Sequence, residues 1–279
     1  MSLFTTSTGV AGILPDDYAA LIVQPVIDRA VATNTSTTIR TESTTTHVPT
    51  LTDDVSAAWV AEGEEITPDD PTFTETAVTP SKVAALSIIS REMAQDSSPA
   101  SSEIVGASMV RDIARQVDAA FFGALAAPAP SGLDALAGIS TVNAGTSWAD
   151  LDPFAEAQSL AEAEYAMITG FVANPADVLA LMTLKSATGS NAALLQPDPT
   201  APATRQINGV PLYTSPAVTA GEVWAVPEER ALAIVRDDVR LEVSNDAYFS
   251  SDRVGVRATM RVGFAFPHPA SIVKISITA

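Results

Sequence analysis

Apolar and polar positions alternate with a different period in different parts of the chain. Residues 1–46 are rich in Ser, Thr and Ala. There, only Tyr18–Val31 repeats at helical spacing, and Pro25 interrupts it. Thr33–Thr46 is polar and β-branched, so it should run extended, with no apolar face of its own to bury. It reads either as a floppy tail or as an arm laid on a surface outside itself. Residues 47–90 change to a strand period. His47–Leu51 and Ala57–Ala61 flank a polar turn at Asp53–Asp54, and Phe73–Val78 and Lys82–Ser90 read as returning strands. Between them, Glu62–Pro71 (EGEEITPDDP) predicts an exposed loop, because carboxylates without partners are costly to bury. The whole predicts a long two-stranded arm. An isolated ribbon is marginal in water, so this one should lean on something else.

A helical period takes over after Ser97–Ser98–Pro99. Over Ile104–Leu125 the residues Val110, Ile113, Val117, Phe121 and Ala124 form one stripe. Arg111, Asp112, Arg115 and Asp118 fall mostly opposite, and Pro128 and Pro130 stop the helix. At ~1.5 Å per residue the rod exceeds ~30 Å. A Gly-rich loop follows over 131–147. A second helix is predicted over Trp148–Ile168, with Asp150 or Asp152 as cap and Pro153 in its first turn. Phe171–Ala173 reads as a short buried strand, and Asn174–Pro175 opens a third helix over Ala176–Lys185. Gly189–Ala203 is a Pro-rich loop, and Asn208–Gly209 a tight turn before the strand Val210–Ser215. The last third is β. Leu232–Val235 and Leu241–Val243 read as short strands and Ile272–Ile277 as the final one. In Arg253–Phe266, Val254, Val256, Ala258, Met260, Val262, Phe264 and Phe266 share one face, and Arg253, Gly255, Arg257, Thr259 and Arg261 the other. The fold class is therefore α+β.

Composition sharpens this picture. With 279 residues, 47% hydrophobic and 17% charged, the chain can bury a core and lacks a disordered composition. The net charge is −18, with three lysines (Lys82, Lys185, Lys274), which argues against a protein that grips a nucleic-acid backbone. The absence of cysteine excludes disulfides, thiolate metal sites and Cys nucleophiles. No secretory signal or bilayer-length apolar run is visible, so a soluble protein made in the cytosol is expected.

The residues carry little chemistry. The two histidines, His47 and His268, lie at a strand start and between two prolines; no Gly-x-Ser-x-Gly elbow accompanies them. Nucleotide-binding glycine loops, zinc motifs and calcium loops are missing, so no catalytic residue, metal or cofactor is assigned. Glu62, Glu64, Glu65, Asp69 and Asp70 read as a solvated loop. Asp53–Asp54 and Asp237–Asp238 read as turn residues. The arginine face of 253–261 is the informative charged feature. It is either solvent-facing or a docking face for carboxylates, with the acidic loop as supplier and DNA phosphate as the weaker candidate.

The order of these parts resembles the major capsid proteins of tailed phages, the Hong Kong 97-type fold. The segments that carry the resemblance are Leu86–Ser97 (LSIISREMAQDS), the spine helix Ile104–Leu125, Gly170–Gly189 (GFVANPADVLALMTLKSATG), Ile207–Pro216 (INGVPLYTSP) and Val239–Ile275. The resemblance implies an N-terminal arm (1–46), an extended β-hairpin loop (47–82), a peripheral domain (83–131 and 229–279, spine helix about 99–127) and an axial domain (132–228). It also implies homo-pentamers and homo-hexamers of an icosahedral head enclosing double-stranded DNA, a portal protein at one vertex, a possible separate scaffolding or decoration protein, and no membrane. No lysine lies between Asp53 and Pro80, so a lysine-crosslinked loop is not expected. On this reading Glu62, Glu64 and Glu65 approach Arg253, Arg257 or Arg261 of an adjacent subunit, while Trp59 and Phe73 supply apolar adhesion. The rival readings are an encapsulin-type nanocompartment shell and, from another class, a serine hydrolase using His268 or His47.

Overall fold

The computed structural model describes residues 30–278 except 54–56, 58, 66–67, 93–100, 188–189 and 196–204. The helix expected over Tyr18–Val31 and the start at Ser97–Pro99 therefore lie outside the described residues, but for Ala30 and Val31. So does most of the loop 189–203.

Strict alternation over the last third builds the first sheet. Strand β11 (Arg253–Ala265) lies between β10 (Leu232–Tyr248) and β4 (Ser81–Ser90), antiparallel to both. β1 (Thr37–Arg40) closes the other edge, parallel to β10. The inward face of β11 (Val254, Val256, Ala258, Met260, Val262, Phe264) is buried as its alternation predicts. The 22-residue spine helix, here α2 (Ser101–Phe122), packs against it through Val110, Ile113, Val117 and Phe121. The helix ends before Ala124, which is exposed. Residue 132 crosses its C-terminus: a Cβ built on Gly132 would stand 2.1–2.6 Å from the carbonyl oxygens of Ala120, Gly123 and Phe121.

The arm makes contacts within its own subunit, which corrects the expectation that it lacks them. A four-residue helix α1 (Val31–Asn34) sits on α2, and β1 takes its backbone partners from Leu232–Val235. Asp118, expected on the polar side of the helix, is buried. Its carboxylate accepts from the Val31 and Ala32 amides at 3.2 and 2.9 Å. Burial raises its pKa above the usual carboxylate value, against the lowering effect of the amides of Ala32 and Val31 and the Ser215 hydroxyl. A raised folded-state pKa means that the folded subunit holds this proton more tightly than the unfolded chain. The stabilisation is complete below the ordinary carboxylate pKa and is lost as pH rises through the raised one. Wild type should therefore gain stability over Asp118→Asn as pH falls from 7 towards 4, measured as urea midpoints. A difference that shrinks over that window would contradict the assignment.

Asp237 and Asp238 do not form a turn. They lie inside the 17-residue β10, where register shifts accommodate them, and pair with Arg261 (3.4 Å) and Arg40 (3.5 Å). An acidic pair mimics a turn signal, but pairing along both edges of β10 overrides it.

The second sheet has the order β5-β12-β9-β6-β8-β7. Its strands are β5 (Ser140–Asn143), β6 (Gly170–Ala173), β7 (Gln206–Ile207), β8 (Val210–Thr214), β9 (Glu222–Val226) and β12 (Val273–Ser276). Helices α3 (Asp152–Ala163) and α4 (Pro175–Thr183) complete this part of the chain. As the sequence indicates, Asn174 caps α4 by accepting from the Ala176 amide (3.1 Å), and Asn208–Gly209 turns with both φ positive. Trp148, Phe154, Phe171, Leu181, Val223 and Ile275 fill the core. The chain's final strand was expected back in the first sheet; instead β12 pairs with β5 and β9. Its apolar alternation suits either sheet, so periodicity could not choose between them. Lys274 fixes β12 there, with Nζ 2.7 Å from both Asp134 and Glu222 and over the Trp224 ring.

Candidate assembly interface

Two strands, β2 (Thr46–Asp53) and β3 (Thr72–Val78), form a separate antiparallel ribbon. The first six residues of β3 are exposed, so side chains on both faces of that strand meet water. The further strand expected over 57–61 does not form: residues 57 and 59–61 are irregular. They lack a partner strand to complete a ladder. The foot of the ribbon is anchored in the body. Val78 is buried with Ile234 and Ala265, and Val48 and Leu232 pack beside them.

Beyond the foot, the ribbon stands over a groove of about 640 Å³. Thr50, Thr74 and Thr76 face Leu136, Phe264 and Phe266 across it. Thr50 Oγ1 and His268 Nδ1 are buried without a hydrogen-bond partner. Each histidine faces a glutamate: His47 pairs with Glu75 across the ribbon, and His268 lies 3.8 Å from Glu164. Such pairs provide no serine nucleophile next to a base.

Towards its tip, the ribbon presents Trp59, fully exposed, and Phe73, largely exposed. Glu62, Glu64 and Glu65 are exposed in the same loop, and none makes an ion pair with an arginine among the described residues.

The outward face of β11 carries Arg253, Arg257 and Arg261, as alternation requires. The expectation that all three lack partners within one subunit is corrected. Arg257 pairs with Glu242 and Arg261 with Asp237, both on β10, because the antiparallel register sets acids opposite them. Arg253 is exposed and has no ion-pair partner among the described residues. The sequence reading missed the aliphatic column alongside. Leu86 stands opposite Arg257 and Ile88 opposite Gly255, both exposed on β4. The signal was in the run Leu86-Ser87-Ile88-Ile89, whose apolar residues cannot all share one face of a strand. This face therefore offers aliphatic, cationic and acidic columns side by side.

The phage capsid family model matches residues 11–277. The chain belongs to the phage capsid family. No curated protein sequence matches it. Among solved structures, a Microbacterium phage Oxtober96 chain superposes with a TM-score of 0.75 at 19% identity, covering 96% of this chain and 100% of that one. The capsid of an empty GTA particle computed with C5 symmetry gives 0.73 at 19%, covering 90% of each chain. A Mycobacterium phage Bobi chain gives 0.73 at 16%, covering 90% and 91%. These likenesses establish the Hong Kong 97-type capsid fold. This capsid protein is a structural shell subunit, and the nanocompartment and hydrolase readings gain no support. Its place is the virion shell. No helix among the described residues is long and apolar enough to cross a membrane.

Proposed function

We propose that this capsid protein forms pentamers and hexamers of an icosahedral head that encloses double-stranded DNA without reading its sequence. The observation that carries this reading is the ribbon: towards its outer end Trp59 is fully exposed and Phe73 largely so. Exposed large aromatics in one projecting element mark a contact surface. A portal ring at one vertex, a separate scaffolding or decoration protein and assembly in the host cytoplasm belong to the same reading. The net charge of −18 suits a wall along which DNA slides.

The two sheets and the ribbon support a division into arm, extended loop (47–82), peripheral domain and axial domain, with β12 taken with the axial part. In the shell, the tip of one ribbon lies on the β4–β11 face of the next subunit. Leu86 and Ile88 receive apolar side chains from the tip. Glu62, Glu64 and Glu65 meet Arg253 first, since Arg257 and Arg261 already have acids beside them. Each exposed pair contributes at most ~1 kcal/mol, so apolar contact carries most of the adhesion and charge sets the register.

Reversing Glu62, Glu64 and Glu65 to lysine is expected to raise the assembly threshold about fivefold, at ~1 kcal/mol for one lost contact. Arg253→Glu should do the same, and the two together should recover the wild-type threshold. Light scattering with negative-stain microscopy reads the result. Absence of recovery in the combined variant sinks the pairing. Absence of closed particles from wild type sinks the shell reading.

A further inference from the structure

Helix α3 ends in an unusual way. The Tyr165 amide donates to the Glu162 carbonyl at 3.0 Å, and the Ala166 amide to the Ala161 carbonyl at 2.9 Å. This double closure is the Schellman motif, whose first residue past the cap adopts the left-handed conformation and is usually glycine. Here that residue is Tyr165, with φ +53°. Among the described residues, the other non-glycine positions with positive φ, Asn208 and Asp252, are of types that tolerate it. A tyrosine there is strained, and its ring does not offset the strain within the subunit, because the residue is 96% exposed. Met167, two residues on, is 75% exposed. Glu162 and Ala163 are exposed beside them. Ala166 and Ile168, between and after them, are buried, so the turn is anchored and aims the ring outward. Neither backbone geometry nor core packing explains a tyrosine at this position.

We propose that Tyr165 is an inter-subunit anchor, covered in the shell by an arginine-bearing surface of a second copy of this chain. The inference rests on the shell reading and adds a contact on the axial part, at the mouth of a groove that Tyr165 lines with Val48, Pro49 and Thr50 of the ribbon and with Arg230. A sister copy is the occupant because a shell subunit is surrounded by its own kind. Charge chooses what the copy presents. Two chains of net charge −18 repel, so a patch bearing Glu162 beside an open aromatic face suits a guanidinium. An arginine can stack on the ring and pair with the carboxylate at once.

The test exploits the strain. Tyr165→Gly relaxes the turn, so the dissociated full-length subunit should melt no lower than wild type and up to about 2 °C higher. Its assembly threshold, read by light scattering with negative-stain imaging, should rise at least about tenfold, the size of an aromatic hot-spot truncation. Tyr165→Phe keeps the ring and should stay within about threefold of wild type. Tyr165→Gly assembling at the wild-type threshold overturns the anchor. A lower melting temperature for it places the ring's role inside the subunit and overturns the anchor too. Tyr165→Phe failing as badly as Tyr165→Gly removes the stacked ring. Wild type failing to form particles under the same conditions is a different result, because it sinks the shell reading itself.

Discussion

Replacing Phe121 by alanine is expected to destabilise the subunit by about 3–5 kcal/mol, the range for deleting a fully buried aromatic ring. Phe121 is 0% exposed near the C-terminal end of the spine helix. Its ring meets Phe122 at 4.9 Å and Phe264 at 5.0 Å, both edge to face, and Phe266 at 5.5 Å. Those rings come from the helix, the end of β11 and the residue just past it, so the aromatic cluster is where helix and sheet are locked in register. Edge-to-face contacts add ~0.5–1.5 kcal/mol beyond burial, and the rigid rings around the void cannot collapse into it. Phe121→Leu, which refills part of the volume, should cost clearly less. Urea unfolding of the dissociated subunit measures both. A loss below ~1.5 kcal/mol for the alanine variant would mean that the site relaxes freely, contrary to the packing described.

Gly132→Ala is expected to be comparably damaging, at least ~3 kcal/mol, although it adds a single methyl group. The backbone at Gly132 (φ −100°, ψ −172°) is extended and open to any residue, so the harm is not torsional. It is steric and has no outlet. The three atoms that the new carbon would meet are carbonyl oxygens of α2 and the residue after it, not flexible side-chain ends. Gly138 provides the contrast. Its φ is +82° and the nearest side-chain atom lies 4.0 Å from a built Cβ, so Gly138→Ala should cost only about 1 kcal/mol of backbone strain. Equal costs for the two variants, measured by thermal or urea unfolding, would show that the helix end yields and that the close approach is not a constraint.

How far the fold was legible follows from what each signal encodes. β11 and the spine helix could be read because burial on one face writes a strong period into each. α4 and the 208–209 turn could be read because caps and turns need particular residues at particular positions. β5 and β9 were missed: each is short, and β9 (Glu222–Val226) is buried on nearly every side chain, which erases alternation. β10 was read as two fragments, since bulges at its acids break the period within one continuous ladder. At the interface, the residue types were visible but their neighbours were not. Nothing local in the sequence sets Glu242 opposite Arg257, or Leu86 across from it; only register does. Tyr165 was invisible because its interest lies in a torsion angle. Asp118 was misplaced because one buried acid on a polar helix flank looks like any solvated one until the arm is laid over it.

The strand order of the first sheet also has a consequence in time. Among the described residues, β4, which follows the ribbon, pairs only with β11, and β1, which precedes it, pairs only with β10. Both foundations are therefore encoded more than about 150 residues downstream of the element they support, a separation that makes closure late and slow. While the ribosome is still short of residue 265, the projecting hairpin has no base that could aim it. Ordered docking of one ribbon on the next subunit therefore waits for a chain whose first sheet has closed.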